Sequence, residues 1–232
     1  QAIGRYILFL NPDTILSEDA LKLSVERMES DAGLGALGIH MVDGNGEYLP
    51  ESKRGFPLPA ASLFKLSGLI WLFPRSKSIA HYYLGHLPEK QDNEVDVLSG
   101  AYMMVRKEVL EKTSGFDEQF FMYGEDIDLS YRIKEAGYRN YYLTKTSIIH
   151  FKGKSTLKDI AYTKQFYRAM NLFIDKHYGH LSAFSRAALH SAIFFGRANA
   201  SILAFFRPHL NNAKPEVKPQ VSLIIGPRQQ AA

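Results

Sequence analysis

The sequence predicts an α/β fold with a buried sheet, and three observations carry that prediction. Residues 5–10 form a nearly unbroken apolar run, which is typical of a strand buried on both faces in a parallel sheet. Strand-like and helix-like patterns then alternate along the chain. With 232 residues, of which 46% are hydrophobic and 22% charged, the chain can bury the core of one globular domain with appendages.

The first strand sets an expectation about its surroundings. A strand in a parallel sheet needs neighbours that cover its edges. The sequence begins at Gln1 rather than at a methionine and reaches this strand almost at once. We therefore expect the neighbouring strands to lie upstream of Gln1, in a longer parent protein.

The following segments predict a helix, a strand and a hairpin. Ser17 is followed by two acids, as at a helix start, and apolar residues recur at helical spacing as far as residue 28. Residues 36–42 predict the second strand. The Asp-Gly-Asn-Gly sequence at 43–46 is a strong turn signal, so residues 47–49 should return as the other arm of a hairpin.

Residues 54–88 combine prolines with many aromatic residues, among them Trp71, and show no clear period. They predict a long surface excursion, which either forms the acceptor side of a binding site or packs on the domain's own core. Residues 95–105 then predict a strand with a Ser-Gly-Ala step in its middle. A glycine inside a strand indicates a bulge or a close approach by another group, and we expect the bulge.

Residues 115–132 are the most informative stretch, because three acids follow directly on an aromatic run. Aromatic rings offer flat apolar faces to a sugar ring, and a carboxylate can take a proton from a hydroxyl group. An acidic helix start with buried aromatic residues explains the same pattern, since acids are favoured in any first helical turn. The residues concerned are Phe120, Phe121, Tyr123, Glu125, Asp126 and Asp128.

The later segments continue the alternation. Residues 127–136 predict a helix on which Asp128 and Arg132 stand four apart, and we interpret these two as a structural pair. Residues 140–151 predict a strand-rich segment, and residues 157–178 predict a helix with apolar residues at helical spacing.

Two polar residues stand at the carboxyl ends of predicted strands, where open α/β sheets bind ligands. Asp13 lies in an Asn-Pro-Asp-Thr sequence, which suits a divalent cation holding a diphosphate but is equally an ordinary turn. His150 either completes such a cation site or is simply hydrogen-bonded. Residues 151–156 add two lysines and two hydroxyl groups, which would accommodate a diphosphate.

The carboxyl-terminal third predicts a helix over residues 181–206. Residues 168–232 carry eight Lys or Arg against two Asp or Glu, hence a charge of +6. The helix either lies on an anionic membrane surface, which is our preferred interpretation, or docks on the domain. Residues 211–220 predict a linker, and residues 221–226 predict a strand that opens a further domain or belongs to a docked tail. The apolar side of the helix comprises Phe184, Ala188, Phe195, Ile202 and Phe206.

The composition excludes several classes of function. Without cysteine there can be no disulfide, no thiolate metal site and no cysteine nucleophile, and this fits a reducing compartment. Neither a signal peptide nor an apolar run long enough to span a bilayer is visible, and no compact basic motif points to nucleic acid. We expect a cytoplasmic protein in peripheral contact with the inner face of the cell membrane.

Taken together and in order, four motifs resemble family 2 glycosyltransferases of GT-A fold, and most closely their bacterial rhamnosyltransferase-like members. The resemblance covers roughly residues 1–180, and the ordered set is far more specific than any single motif. The motifs are residues 6–14 (YILFLNPDT), residues 98–101 (LSGA), residues 115–132, and His150 followed by Gly153, Ser155 and Thr156.

The resemblance implies an α/β/α sandwich with a mixed sheet, truncated at its N-terminal, nucleotide-binding half and followed by C-terminal helices. Residues 1–180 would be the C-terminal part of the GT-A domain, residues 181–210 an amphipathic helical appendage, and residues 211–232 a linker with the start of a further strand or domain. Since only residues 1–4 precede the first strand, we expect the base and ribose pocket to be missing. The chain by itself should then bind a nucleotide sugar poorly or not at all.

The resemblance also implies roles for individual residues. Asp13 closes the metal-binding DxD element, with Asn11 in the place of its first acid, and His150 lies near the metal and the diphosphate. The metal would be Mg²⁺ or Mn²⁺. Asp126 is the general base, with Glu125 beside it. The residues expected to contact the substrates are Asn11, Gly100, Ala101, Phe121, Tyr123, Lys152, Lys154 and Ser155.

The implied activity is the inverting transfer of a sugar, with rhamnose as a candidate, from a nucleotide-sugar donor to a glycan or lipid-linked acceptor in bacterial cell-surface polysaccharide synthesis. Two other functions stay open. One is a non-catalytic sugar-binding or scaffold protein that keeps the aromatic residues. The other is a metal-dependent phosphohydrolase with Asp13 as nucleophile, which the lack of a second nearby acid disfavours.

Overall fold

The computed structural model describes residues 3–56, 84, 86–120, 123–151, 160–191 and 193–195. The predictions for Phe121, for the lysines and hydroxyl groups of residues 152–156, for most of the 54–88 excursion and for everything after residue 195 lie outside the described residues.

The described residues alternate between strands and helices, as the sequence predicts. The strands are β1 (Tyr6–Leu10), β2 (Thr14–Leu16), β3 (Leu34–Val42), β4 (Lys53–Arg54), β5 (Asn93–Val95), β6 (Val97–Leu98), β7 (Tyr102–Arg106) and β8 (Arg139–His150). The α-helices are α1 (Ala20–Glu29), α2 (Lys107–Lys112), α3 (Glu125–Glu135), α4 (Ile160–His177) and α5, residues 183–191.

The central sheet is mixed, as the family resemblance implies. Its strands run in the order β1-β7-β3-β8-β2, and β5 also pairs with β8. The β3–β8 pair is parallel and the other pairs are antiparallel. In the described residues β1 pairs with β7 in the antiparallel sense, and the parallel neighbours expected upstream of Gln1 stay a prediction. The apolar run of β1 correctly indicates packing on both faces but carries no information on the direction of its neighbour.

Helices cover both faces of the sheet. On β7, Tyr102 and Met104 belong to a core cluster that includes Ala20 and Met28 of α1. The alternate β7 residues Met103 and Val105 pack instead with residues of α2 and α3. Successive residues of a strand point to opposite faces, so β7 separates two apolar layers. The result is the α/β/α sandwich expected from the sequence.

The continuous strand predicted over residues 95–105 is wrong. It is divided into β5, β6 and β7, with a bend at Asp96 and a turn at residues 100–101. The reason is that each piece pairs with a different strand: β5 with β8, β6 with β4, and β7 with β1 and β3. The expected bulge at Gly100 is thus a turn between two sheets. A Cβ on Gly100 would lie 3.5 Å from the Cβ of Asp126, which is an ordinary van der Waals contact, so the alternative of a close approach is not realised by Asp126.

Several local signals are confirmed. The turn after β3 places Gly46 at φ +83, a left-handed conformation that favours glycine, and Leu49 returns to donate its backbone N–H to the carbonyl of Met41. Gly137 follows α3 with φ +87. Helix α1 begins at Ala20, three residues after the predicted start, and Ser17 instead donates to Asp19.

The two C-terminal helices form a third apolar cluster against α3 and β6. Leu189 and Ile193 are buried in this cluster, so the docking alternative is realised in the described part of the predicted 181–206 helix. The apolar side drawn from the sequence does not form this contact, because its members Phe184 and Phe195 are 84% and 68% exposed. The opposite side faces α4 instead, since His190 pairs with Asn171 and Asp175. None of the helices in the described ranges has the length and apolarity needed to cross a membrane.

Candidate active site

The first half of the site lies where β2 and β8 meet. The two strands are antiparallel, with Thr14 opposite His150, and the backbone N–H of Phe151 donates to the carbonyl of Asp13 at 2.9 Å. This register brings Nε2 of His150 to 3.3 Å from Oδ1 of Asp13. The structure thus joins two residues that the sequence places at the ends of separate strands.

The donor atoms of this pair fit a hard divalent cation. The Asp13 side chain is 28% exposed and that of His150 is 12% exposed, so a ligand can reach both. Nδ1 of His150 is buried and has no hydrogen-bond partner among the described residues. One carboxylate and one imidazole leave most coordination positions to phosphate and water, as is usual for Mg²⁺ and Mn²⁺ at nucleotide sites. No cluster of three or more His, Asp or Glu side chains suited to a metal occurs in the described part of the chain.

The 99–101 turn connects this region with the acidic helix start. The backbone N–H of Asn11 donates to the carbonyl of Ala101 at 3.1 Å, and the N–H of Gly100 donates to Oδ2 of Asp126 at 3.1 Å. Neighbouring residues of one turn therefore hold the end of β1 and the beginning of α3. The predicted site residues Asn11, Gly100, Ala101 and Asp126 are thus brought together.

Asp126 stands in the first turn of α3 and is held by three donors. Besides Gly100, the backbone N–H of Ile127 donates to Oδ1 at 2.8 Å, and Nη2 of Arg54 donates to Oδ2 at 2.5 Å. The two side chains of this ion pair are 13% and 14% exposed. Sequence reasoning missed Arg54, because a two-residue strand has no periodicity that would place its side chain.

Glu125 is half-buried next to Asp126. Burial raises the pKa of its carboxyl group to about 7, and the negative charge of Asp126 adds to the increase. Its Oε2 is buried without a hydrogen-bond partner among the described residues. The pair therefore combines the hydrogen-bonded carboxylate of Asp126 with the carboxyl group of Glu125, which titrates near neutral pH.

Asp128 points away from this pair and into the core. It is fully buried and bonds Arg132, Lys176 and His177, so the predicted structural pair is confirmed and is part of a larger cluster. Burial raises its pKa, but hydrogen bonds from His177, Lys176 and Arg132 outweigh burial and bring the pKa to about 2. This cluster attaches α3 to the end of α4.

Two of the three aromatic residues predicted for the site, Phe120 and Tyr123, lie among the described residues. Phe120 is only 5% exposed and packs in the third apolar cluster, so its ring is not available to a sugar. Tyr123 is half-buried against the same cluster. The sequence could not separate these orientations, because residues in an irregular loop follow no period.

These features together define the class of the protein. A mixed α/β/α sandwich gathers an Asp–His pair, a backbone turn and an acidic helix start at one edge of its sheet, which is the architecture of GT-A glycosyltransferases. The chain belongs to the family described as glycosyltransferase like family 2, whose model matches residues 1–171.

Named relatives come from different organisms. The chain is 27% identical over 179 residues to N-acetylglucosaminyl-diphospho-decaprenol L-rhamnosyltransferase of Mycobacterium tuberculosis, covering 76% of this chain and 57% of that protein. It is 32% identical over 146 residues to rhamnosyltransferase WbbL of Escherichia coli, covering 63% and 52%. The chain therefore spans little more than half the length of these relatives.

A solved structure is also similar. It is the mannosyltransferase PcManGT from Pyrobaculum calidifontis in complex with GDP-Man and Mn²⁺. The match has a TM-score of 0.47 and 16% identity, and it covers 92% of this chain and 53% of that one.

Proposed function

We propose that the protein of which this chain is part is an inverting glycosyltransferase that moves a sugar from a nucleotide-sugar donor to a glycan or lipid-linked acceptor in bacterial cell-surface polysaccharide synthesis. Rhamnose is the sugar we favour, because two relatives from different organisms are named rhamnosyltransferases. The observation that carries the proposal is the 99–101 turn, which binds Asn11 on one side and Asp126 on the other.

The reaction we propose is a single displacement. Asp126 accepts the proton of an acceptor hydroxyl group while the hydroxyl oxygen forms a bond to the anomeric carbon. The bond from that carbon to the nucleoside diphosphate breaks, and the diphosphate leaves with the electron pair. No covalent enzyme intermediate is needed, and the configuration at the anomeric carbon is inverted.

The leaving diphosphate carries negative charge that needs compensation. Asp13 and His150 would hold Mg²⁺ or Mn²⁺, which when bound neutralises charge on the diphosphate oxygens. Asn11 and the 100–101 backbone would line the space between this pair and Asp126. Substrate contact stays a sequence-based prediction for Phe121, Lys152, Lys154 and Ser155. We also propose substrate contact for Tyr123, which is half-buried.

We also propose peripheral contact with the inner face of the cell membrane. The α5 region comprises α5 and the helical residues 193–195. Its outer surface presents Phe184, Phe194 and Phe195, which are 84%, 66% and 68% exposed. Aromatic side chains on the outer face of a basic helical region suit the headgroup boundary of an anionic leaflet. Such contact would bring a lipid-linked acceptor to the enzyme.

The test is an assay of the complete protein for release of nucleoside diphosphate from nucleotide sugars, nucleoside diphosphate-rhamnose donors first, with and without Mn²⁺ and acceptor. A transferase requires donor, acceptor and metal for stoichiometric release and gives a glycosylated product. A phosphohydrolase releases phosphate without acceptor, and a scaffold protein binds sugar without turnover. Either of these results would overturn the proposal.

A further inference from the structure

Arg54 is a cation whose side chain is 13% exposed and which has no role in the proposed reaction. It stands on β4, which pairs with β6 immediately before the 99–101 turn. Its Nη2 lies 2.5 Å from Oδ2 of Asp126 and 3.4 Å from the carbonyl oxygen of Leu98. The guanidinium group therefore spans the strand before the turn and the carboxylate at the start of α3.

The bonds to Asp126 are distributed unevenly between its two oxygens. Oδ2 receives Arg54 and the N–H of Gly100, whereas Oδ1 receives only the N–H of Ile127 among the described residues. A carboxylate oxygen has two lone pairs. Both lone pairs of Oδ2 are thus occupied, and Oδ1 keeps one that can accept a proton.

The charges around Asp126 give Arg54 a second effect. Glu125 adds a nearby acid on the same helix, and Arg54 approaches both acids from β4. Lys176 and His177 approach α3 from α4, but they bond Asp128. Within the described residues, Arg54 is consequently the charged side chain that compensates the Glu125–Asp126 pair.

We propose that Arg54 is a positioning residue for the transfer reaction, which holds Oδ2 of Asp126 so that Oδ1 faces the acceptor hydroxyl group. The inference rests on the proposed function. It explains why a base should be tied to a cation: the ion pair fixes one oxygen and leaves the other for the proton. A lysine could supply the charge, but its ammonium group on a flexible stem would hold Oδ2 less rigidly than the planar guanidinium group of Arg54 does.

The experiment compares Arg54→Ala and Arg54→Lys with the unaltered complete protein, measuring kcat, KM for the acceptor and the pH dependence of kcat/KM with Mn²⁺ present. Arg139→Ala is the matched control, because Arg139 also forms ion pairs at 2.5 and 2.7 Å, but on Glu94 and Asp31 away from the site. We expect Arg54→Ala to lower kcat about 10- to 100-fold. It should also move the acid limb of the pH profile upward by about one pH unit. Arg54→Lys should restore the acid limb but only part of kcat.

A second readout does not depend on activity. The charge of Arg54 lowers the pKa of Glu125, so a ¹³C titration of labelled glutamate should move the Glu125 signal to higher pH in Arg54→Ala but not in Arg139→Ala. Glu125→Gln assigns the signal. If Arg54→Ala does not fold, the comparison is made between Arg54→Lys, which keeps the positive charge, and Arg54→Gln, which removes it.

The outcomes separate this inference from the proposed function. An unaltered protein without acceptor-dependent turnover would end the proposed function, and the inference with it. An active protein whose Arg54 variants keep kcat and the acid limb would overturn the role of Arg54 alone. A higher acceptor KM without those changes would make Arg54 a substrate-binding residue and refute the positioning role. A loss of stability alone would make the Arg54–Asp126 bond a structural ion pair and refute it equally.

Discussion

Nε2 of His150 lies 3.3 Å from Oδ1 of Asp13, although 137 positions separate the two residues in the sequence. The antiparallel register of β2 and β8 fixes this distance, because Thr14 is opposite His150 and the backbone of Phe151 bonds Asp13. His150 therefore ends a strand of the sheet, and the turn that carries Asp13 is fixed to that strand by a backbone hydrogen bond. A site of this kind is preorganised for a ligand that both side chains can bind.

Substitution of Asp13 should weaken metal binding by the complete protein. With Asp13→Ala, we expect the Mn²⁺ concentration for half-maximal turnover to rise at least about tenfold, because one of two protein donors is lost. Chelation should stop turnover of the unaltered protein, and added Mn²⁺ should restore it. Asp19→Asn is the control, since Asp19 bonds Ser17 and Thr146 outside the site. An unchanged Mn²⁺ dependence would remove Asp13 from the metal site.

The sequence allowed the fold and much of this site to be predicted for identifiable reasons. Strand ends mark ligand positions in α/β sheets, so Asp13 and His150 were candidates from their neighbours, and the ordered motifs of the family resemblance favoured a site over an ordinary turn. Arg54 could not be found in this way, because its position depends on which strand β4 pairs with. The burial of Phe120 was likewise beyond prediction, since packing in the third apolar cluster decides it.

Asp126→Asn should lower turnover by about 10² to 10⁴, because an amide cannot accept the hydroxyl proton. The amide keeps nearly the same size, so donor KM should change little. Single-turnover measurement on the complete protein separates the chemical step from product release. Asp117→Asn serves as the control, since Asp117 pairs with Lys176 near the same helix. Turnover close to that of the control would rule out Asp126 as the base.

Glu125 should make the folded state less stable as the pH rises towards neutral. Its pKa of about 7 lies above the ordinary value of 4.5, so between these values the folded state holds a proton that the unfolded state has lost. The free energy of unfolding then falls with rising pH, by at most about 3 kcal/mol in total. Urea unfolding at pH 5, 6, 7 and 8 measures this slope.

The matched variant for that measurement is Glu125→Gln, which carries no titrating proton. Its unfolding free energy should depend less on pH over the same interval, so the difference between the two proteins isolates Glu125. Parallel curves for the two proteins would show that Glu125 does not retain its proton on folding.

Asp128→Asn should be strongly destabilising. The substitution leaves Arg132, Lys176 and His177 around a neutral amide in a fully buried position, and breaking one side of a buried ion cluster costs about 3–5 kcal/mol. Chemical denaturation measures the loss. Asp31→Asn, which removes a more exposed partner of Arg139, should cost much less. Equal losses would show that burial of Asp128 adds nothing.

The same cluster sets the response to acid. Because the pKa of Asp128 is lowered to about 2, its contribution to stability is present above the ordinary pKa of 3.8 and is lost as the pH falls towards 2. Asp128→Asn should therefore flatten the acid side of the stability profile. If acid unfolding keeps its full slope in this variant, other carboxylates control it.

The exposed phenylalanines of the α5 region should govern membrane binding. Replacing Phe184 and Phe195 by serine removes two largely exposed aromatic side chains, each worth about 1.5–3 kcal/mol when buried in an apolar phase. Sedimentation of the complete protein with vesicles containing phosphatidylglycerol should show binding weakened by at least about tenfold. Turnover on a water-soluble acceptor should be unchanged, since Leu189 and Ile193 still dock the helix. Leu21→Ser on α1 is the control, because Leu21 is 50% exposed on a different helix. Equal vesicle binding by the double variant and the control would show that this surface does not contact lipid.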